Sequence, residues 1–499
     1  MKKADESTGG RHRPAPSFLA SLGALSRDPV MRAVLEAAGE RRGKVFLVGG
    51  VPRDLALARA LSGDYDFAVE GGGGMVEALA RSVADGLGGT PFVLDSGAPS
   101  WRVAVKDPPA TVDFSPLKGS DITEDLALRD FTVNSIAVPL ADIFDSESPV
   151  VLDPAGGLAD AGGKVLRVTS ERAFDDDPLR CLRAVRLAQG LSLEIDSSTE
   201  RLAASKAELV KRVSPERVRD ELVMIFTNPG TARAFARLMG MGLAGSIWPE
   251  LSGWGDIGDY DLMAHTLKTV EEAEDAAEDA ASGRLVPGWG MEFSTLLNES
   301  VGGVPRGAVL RLAALFHDAG KALTISREEG RLRFTGHDRE GALETGRILR
   351  RTRFSRKAAG SVVNLVRNHH RLFTLARLTR PTPRARAQYF RKAGGPDGLI
   401  LMLLSVADAR ATRGGEDRSL VELVREMADF YYRVYSVEKP PPVMDGRDIM
   451  EAFGVEEGPA VGRIMERISE GVEAGEVSTR EDAVGYVKRW LDRGGGGGL

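Results

Sequence analysis

Two aspartates two residues apart, Asp64-Tyr65-Asp66, lie just downstream of an apolar run that ends in Gly49-Gly50 and is followed by Arg53-Asp54. In a strand, residues i and i+2 face the same side, so Asp64 and Asp66 present their carboxylates together. Two carboxylates held that way repel unless one is protonated or a cation sits between them. A third acid, Asp113, lies inside the apolar stretch Thr111-Val112-Asp113-Phe114, a costly position without a partner. Asp64, Asp66 and Asp113 together read as catalytic ligands of a two-metal Mg2+ site that handles triphosphate oxygens. One ion would activate an attacking 3′-hydroxyl and the other would stabilise the leaving pyrophosphate. Gly49 and Gly50 would let backbone N–H groups approach the phosphates, because no side chain intrudes. Arg53 and Arg129 offer fixed guanidinium donors to the triphosphate. Asn134, in Arg129-Asp130-Phe131-Thr132-Val133-Asn134, can hold ribose or phosphate by hydrogen bonds.

The elements that must position these groups are short. Val45–Val48 and Asp64–Val69 read as buried strands, Leu55–Leu61 and Met75–Leu87 as helices, and Pro91–Leu94, Trp101–Val105 and Ala110–Phe114 as further strands. This predicts a mixed sheet with helices ending near residue 150. It lacks the three-glycine dinucleotide-binding fingerprint. Beyond about residue 165 the periodicity turns helical, with Leu179–Leu191, Ser198–Leu209, Pro215–Phe226 and Thr231–Met239 as candidate helices. The expected fold class is therefore α+β, a mixed-sheet head followed by all-helical units.

Composition sets outer bounds. The 499 residues are too many for one ordinary domain. The net charge of -6 advertises no general affinity for nucleic acid, although local patches matter more. The single Cys181 permits neither a disulfide framework nor a cysteine-based zinc site. No run of 18 apolar residues spans a membrane and the N-terminal stretch has no apolar signal core, so a cytoplasmic location is expected.

In order along the chain, Leu47–Asp54 with Asp64–Asp66, Arg129–Asn134, Asp153-Pro154 with Gly156-Gly157, Asp176–Arg186, and Glu216–Leu222 resemble the motifs of the class II tRNA nucleotidyltransferase (CCA-adding enzyme) and bacterial poly(A) polymerase family. The resemblance is strong over about 43–250 and weaker to about 480. It implies a nucleotidyltransferase head, then helical neck, body and tail, and addition of C and A from CTP and ATP to the tRNA 3′ end with release of pyrophosphate. The expected divisions are 1–20 disordered, 21–160 head, 161–250 neck, 251–435 body, 436–493 tail and 494–499 disordered, with Lys439–Pro442 as a Pro-rich joint. Asp177 and Arg180 correspond to the family's base-reading pair. Three residues apart, they are expected on one helix face. A carboxylate can accept from the amino group of cytosine or adenine, and a guanidinium can donate to the neighbouring ring acceptor. Asp176 replaces the family's usual glutamate. Arg183, Arg186, Glu216 and Arg219 are expected to scaffold the neck. A-adding, CC-adding and poly(A)-adding enzymes of the same family remain alternatives. Phe92–Val105 lacks the basic, aromatic stretch of the poly(A) branch, which favours tRNA repair.

Five of the six histidines lie downstream of residue 260. The order His265, His317-Asp318, Asp408 resembles the HD phosphohydrolase superfamily, with His337 and His369 at further positions such domains use. Imidazole and carboxylate together suit Ni2+ or Mn2+. Two readings stay open: a second, metal-dependent phosphohydrolase activity, or histidines that only cap and pack helices. An RNA-binding HD phosphohydrolase with a silent head is the rival from another class. Residues 345–392 carry fourteen Lys or Arg and no Asp or Glu. Arg350, Arg351, Arg353, Lys357, Arg371, Arg384 and Arg386 are accordingly expected to contact tRNA phosphates.

Overall fold

The computed structural model describes residues 14–492 except 42–43, 96–98, 146–148, 256, 258–259, 379, 438–442 and 474. The Pro-rich joint, the glycine-rich end and residues 1–13 fall outside the described residues. Two compact units form, one of residues up to Glu221 plus Arg237–Ile247, the other of Leu222–Ala236 plus everything from Trp248.

The first unit opens with helices α1 (Pro16–Ala24) and α2 (Pro29–Arg41). Phe18 and Leu22 of α1 are buried, so regular structure begins inside the segment expected to be disordered. The apolar side chains on these helices decide that outcome, because their burial offsets the ordering of the chain. Strand β1 (Val45–Val48) then enters helix α3 (Gly50–Ala56), followed by β2 (Asp64–Val69), α4 (Gly73–Leu87), β3 (Thr90–Asp95), β4 (Ser100–Lys106) and β5 (Pro109–Pro116). Helix α3 begins five residues before the expected Leu55. Pro52 sits in its first turn, where a missing N–H costs nothing. After α5 (Ile122–Ala127) comes the short β6 (Ala137–Pro139), which sequence periodicity does not single out.

The six strands lie in the order β3-β4-β5-β2-β1-β6. Only the β2–β5 pair is parallel. One face packs Leu47, Tyr65, Phe67, Val112 and Phe114 against α4 and the N-terminal helices. The opposite face carries a smaller apolar cluster of Phe46, Val48, Ala68, Leu126 and Ala137, with the acids beside it. Helices α6 (Leu140–Asp145), α7 (Gly157–Gly162), α8 (Ala173–Asp176) and α9 (Arg180–Leu191) complete the elements used below. The expected helix Ser198–Leu209 is a helix only over Ser197–Ser205, then continues as a 3-10 turn over Ala207–Arg212.

The second unit is helical apart from two short hairpins. Leu262–Ala281, Arg306–Phe316, Arg356–Asn368 and Asp397–Arg413 pack around one another. Asp397–Arg413 is apolar on nearly every side, as a helix surrounded by others must be. Gly446–Phe453, Pro459–Glu473 and Arg480–Asp492 share a small core of Ile449, Ile464, Val487 and their neighbours. No described helix is long and apolar enough to cross a membrane.

Candidate active site and a second histidine-aspartate cluster

Strand register brings the three sequence-predicted acids together. Asp66 pairs with Asp113 across β2 and β5, and Asp64 lies two residues along the same face. All three line a cleft of about 590 Å³ with Gly49, Gly50 and Arg53. Gly49 has φ +71, and a Cβ there would stand 2.6 Å from Asp66 Oδ2. The Gly50 N–H donates to that same oxygen at 3.3 Å. Gly49 is therefore required by the close approach of Asp66, whereas a Cβ on Gly50 would meet only ordinary contacts. Burial pushes the Asp66 carboxyl up despite the Gly50 N–H, and the Asp113 charge adds to the rise. An acid disfavoured in its charged form beside two more acids is a site a divalent cation would relieve, and three carboxylates suit a hard ion such as magnesium.

Arg102 was not anticipated. It stands opposite Asp113 on β4 and donates to both its carboxylate oxygens at 2.7 and 2.6 Å. Sequence reasoning missed it because only the β4–β5 register reveals the pairing.

Arg53, Arg129 and Asn134 also line the cleft, each held by an acid or amide. Arg53 donates to Asp54 at 2.9 Å and to Asn134 Oδ1 at 3.0 Å. Arg129 donates to the buried Asp125 at 3.0 Å. Asn134 Nδ2 donates to Asp130 at 3.0 Å, and Arg183 pairs with the same carboxylate at 2.8 Å. Burial would raise Asp130, but the Arg183 charge and the Asn134 and Phe131 hydrogen bonds outweigh it and hold the carboxyl low.

Asp177 and Arg180 reach this cleft too, but not from one helix face. Asp177 is extended, with φ -146 and ψ 100, between α8 and α9, and Arg180 is the first residue of α9. Pro178 is the cause, since a residue before proline is pushed out of the helical region. The Asp177 carboxylate accepts from the Leu179 N–H at 3.2 Å and from Arg217 at 2.8 Å. The Arg180 guanidinium donates to the carbonyls of Leu128 at 2.9 Å, Ala173 at 3.3 Å and Arg129 at 3.4 Å. No ion pair ties Asp177 to Arg180, so each is held by other groups. In the neck, Arg186 pairs with the buried Glu221 at 2.6 Å. Arg219 pairs with its neighbour Asp220, and Glu216 is exposed. Glu221 is the acid that holds Arg186.

In the helical unit, His265, His317, Asp318 and Asp408 converge as expected, and His337, His369 and His370 join them. Two groups have ligand atoms within 4.8 Å of one another: His265 with His317 and Asp408, and His337 with His369 and His370. Asp318 faces both. Its Oδ2 lies 3.2 Å from His317 Nε2 and 3.5 Å from His265 Nε2, while its Oδ1 lies 3.5 Å from His337 Nε2 and 3.8 Å from His369 Nε2. Burial opposes charge on His317, but Asp318 and Asp408 hold its imidazole up to about 9. Burial and the nearby His370 push His369 down to about 3. Such a donor set fits transition ions. His370 was the unforeseen member, hidden beside His369 in a His-His pair.

The basic stretch is less bare than its sequence. Arg351 pairs with Glu250 at 2.5 Å, Arg384 with Glu470 at 2.8 Å and Arg386 with Glu426 at 2.6 Å. Acids distant in the chain fold back onto it. Arg371 lies next to the histidine cluster, donating to Asn368. Arg350 and Lys357 are exposed and make no ion pair among the described residues, and Arg353 is exposed.

Comparison with known proteins matches this geometry to a family. Residues 192–254 match the family described as probable RNA and SrmB- binding site of polymerase A, and residues 263–413 match the HD domain. The A-adding tRNA nucleotidyltransferase of Deinococcus radiodurans is 32% identical over 464 residues, covering 89% of this chain and 95% of the relative. The CC-adding tRNA nucleotidyltransferase of Geobacter sulfurreducens is 32% identical over 451 residues, covering 89% and 91%. The solved structure of the Bacillus stearothermophilus CCA-adding enzyme in complex with CTP has a similar fold, with TM-score 0.60, 21% identity and coverage of 96% of this chain and 99% of that one. The chain belongs to the class II tRNA nucleotidyltransferase and poly(A) polymerase family and carries an HD domain. Its general activity is nucleotidyl transfer.

Proposed function

We propose that this protein adds C and A residues from CTP and ATP to the 3′ end of tRNA in the cytoplasm, releasing pyrophosphate. The observation that carries the proposal is the gathering of Asp64, Asp66, Asp113, Asp177 and Arg180 around one cleft. Asp64, Asp66 and Asp113 would hold magnesium, which when bound supplies charge stabilisation at phosphate oxygens. Arg53 and Arg129 offer their remaining N–H donors to the triphosphate. Asp177, fixed by Arg217 and the Leu179 N–H, presents a lone pair to an exocyclic amino group. Arg180, fixed by three carbonyls, presents a donor to the adjacent ring acceptor. Cytosine and adenine match that order, whereas uracil and guanine do not. The 3′-hydroxyl oxygen bonds to the α-phosphorus, the bond to pyrophosphate breaks, and the hydroxyl proton leaves to solvent.

A narrower output, C-only or A-only, is supported by the names of relatives that match nearly end to end, two of them described above. Extension of tRNAs lacking their last three, two or one nucleotides, with CTP, ATP or both, separates the readings. Full repair with both nucleotides supports C and A addition. A stop after the two cytidines, or extension only of the substrate lacking its last nucleotide, supports the narrower one.

The assembled seven-residue cluster supports a second activity, metal-dependent hydrolysis of a phosphate ester. His265, His317, Asp318 and Asp408 would hold one ion, and His337, His369 and His370 a second with Asp318 shared, manganese or nickel being suited to these donors.

A further inference from the structure

The row of side chains that carries the metal acids does not stop at Asp113. Strand register sets Asp66 opposite Asp113, Asp113 opposite Arg102, and Arg102 opposite Phe92, from β2 through β5 and β4 to the edge strand β3. Residues directly opposite one another in a sheet point to the same face. Phe92 therefore stands on the face of the acids, about 10 Å from Asp113 by two strand spacings. Its chain neighbours Pro91 and Val93 pair with Val103 and Trp101, which are buried on the other, helix-covered face.

Phe92 is 43% exposed, and Leu94, at a bulge two residues on, is exposed as well. A large apolar ring on the open side of an edge strand gains little from folding and is free to meet something else. Arg102, between the ring and Asp113, keeps a donor in reserve. Its Nε and Nη2 donate to the Asp113 carboxylate, and its Nη1 makes no hydrogen bond among the described residues.

The cleft says what arrives there. Gly49, Gly50 and Arg53 follow β1, Asn134 before β6 meets Arg53, and Arg180 is bonded to the Leu128 and Arg129 carbonyls. The groups suited to triphosphate and incoming base thus lie on the β1 and β6 side of the acids, and among the described residues none of the cleft lining comes from β3 or β4. An attacking hydroxyl approaches phosphorus from the side away from the leaving group. With the triphosphate on the β1 side, that approach runs over β4 and β3.

We infer that Phe92 carries the last base of the acceptor RNA by stacking and so positions its 3′-hydroxyl over the acids. This rests on the reading of the cleft as a site of transfer to a tRNA 3′ end, and names the residue that holds that end. One nucleoside reaches from the ring to the acids, and the spare Arg102 donor faces its phosphate. Stacking tolerates any base, because every base has a π-face. One ring can therefore serve successive ends as the chain grows, while Asp177 and Arg180 choose what is added.

The test is a cycle between ring and base on the full chain. Single-turnover extension, with CTP and ATP both supplied, is measured on the tRNA end that the parent extends, with the terminal base intact or deleted to leave an abasic 3′ nucleotide. The parent should extend the abasic end about tenfold more slowly, Phe92→Ala should extend both ends at that lower rate, and Phe92→Tyr should behave as the parent. Affinity for CTP and ATP should be the same in all three. A ring that only packs against its neighbours would slow both ends alike when replaced, so an abasic penalty equal in the parent and Phe92→Ala overturns the assignment. A chain that sediments as a dimer and becomes a monomer in Phe92→Ala, with the penalty unchanged, overturns it too and gives the edge strand to a second copy. Nucleotides bound by the parent with no tRNA end extended overturn the reading of transfer to tRNA itself.

Discussion

Asp66 and Asp113 stand directly opposite each other across the parallel strands β2 and β5. That pairing explains several neighbours at once. Gly49 lacks a side chain because Asp66 fills its space. Arg102 grips Asp113 from the next strand, so one of the three acids already has a counter-charge. Asp66 has no such paired guanidinium, and burial with the Asp113 charge pushes its carboxyl up against the Gly50 N–H and the charges of Arg129 and Arg53. The strand register thus creates an acidic pocket that is electrostatically incomplete.

Base choice should depend on Asp177 more than on the helix that follows it. Asp177→Ala is expected to lower the preference for CTP over UTP by about 1–3 kcal/mol, or roughly 5- to 150-fold in relative kcat/KM. Arg217→Ala should give a smaller loss in the same direction, because Arg217 only holds the Asp177 carboxylate. Competition between the two nucleotides on one tRNA measures both.

Asp130 links the cleft to α9 and should show in stability against pH. Its native carboxyl is held below the ordinary range. It therefore contributes stability that is present above the unfolded value of 3.8 and lost as pH falls through the lower native value. Asp130→Asn should cost about 1–3 kcal/mol at pH 7, leaving Arg183 without its carboxylate, and the difference from the parent should shrink in acid. Urea unfolding at pH 7 and near pH 3 checks this.

Asp318 faces both halves of the histidine cluster. Manganese or nickel should raise the Tm of the parent chain, by about 2.7 kcal/mol of stabilisation when the ion is at a hundred times its Kd. Asp318→Asn should remove most of that gain and reduce metal content in both halves. His370→Ala should reduce it in one. Metal analysis after dialysis, alongside thermal unfolding, gives both readings.

The basic stretch should divide into two kinds of residue. Arg350→Gln and Lys357→Gln should each reduce the salt dependence of tRNA binding by about one unit of slope if each meets a phosphate. Arg384→Gln breaks the pair with Glu470 and should cost under about 1 kcal/mol of stability. Titrations at several salt concentrations, with unfolding controls, separate the two.

Much of the head was legible because its signals are local. Val45–Val48 and Asp64–Val69 are short apolar runs ended by glycine or acid, and they fold over those residues. The three acids follow from period two and from the cost of an acid in an apolar strand. Arg102 was not legible, because nothing local reveals which residue stands across from Asp113. Asp177 was misplaced on a helix although Pro178 beside it carried the contrary signal. The unbalanced look of 345–392 misled because Glu250, Glu426 and Glu470 are remote in sequence and close in space. Helix α1 was missed because a polar start hid Phe18 and Leu22.

The central claim is that Asp64, Asp66 and Asp113 hold magnesium for nucleotidyl transfer. The most direct measurement is single-turnover release of pyrophosphate from CTP on a tRNA lacking its last three nucleotides, comparing the parent with Asp64→Ala and Asp66→Ala. A loss on the order of a thousandfold in rate, with tRNA still bound, is expected, since metal stabilisation of phosphate charge is worth several kcal/mol. Pyrophosphate release at the parental rate in either variant would contradict the account.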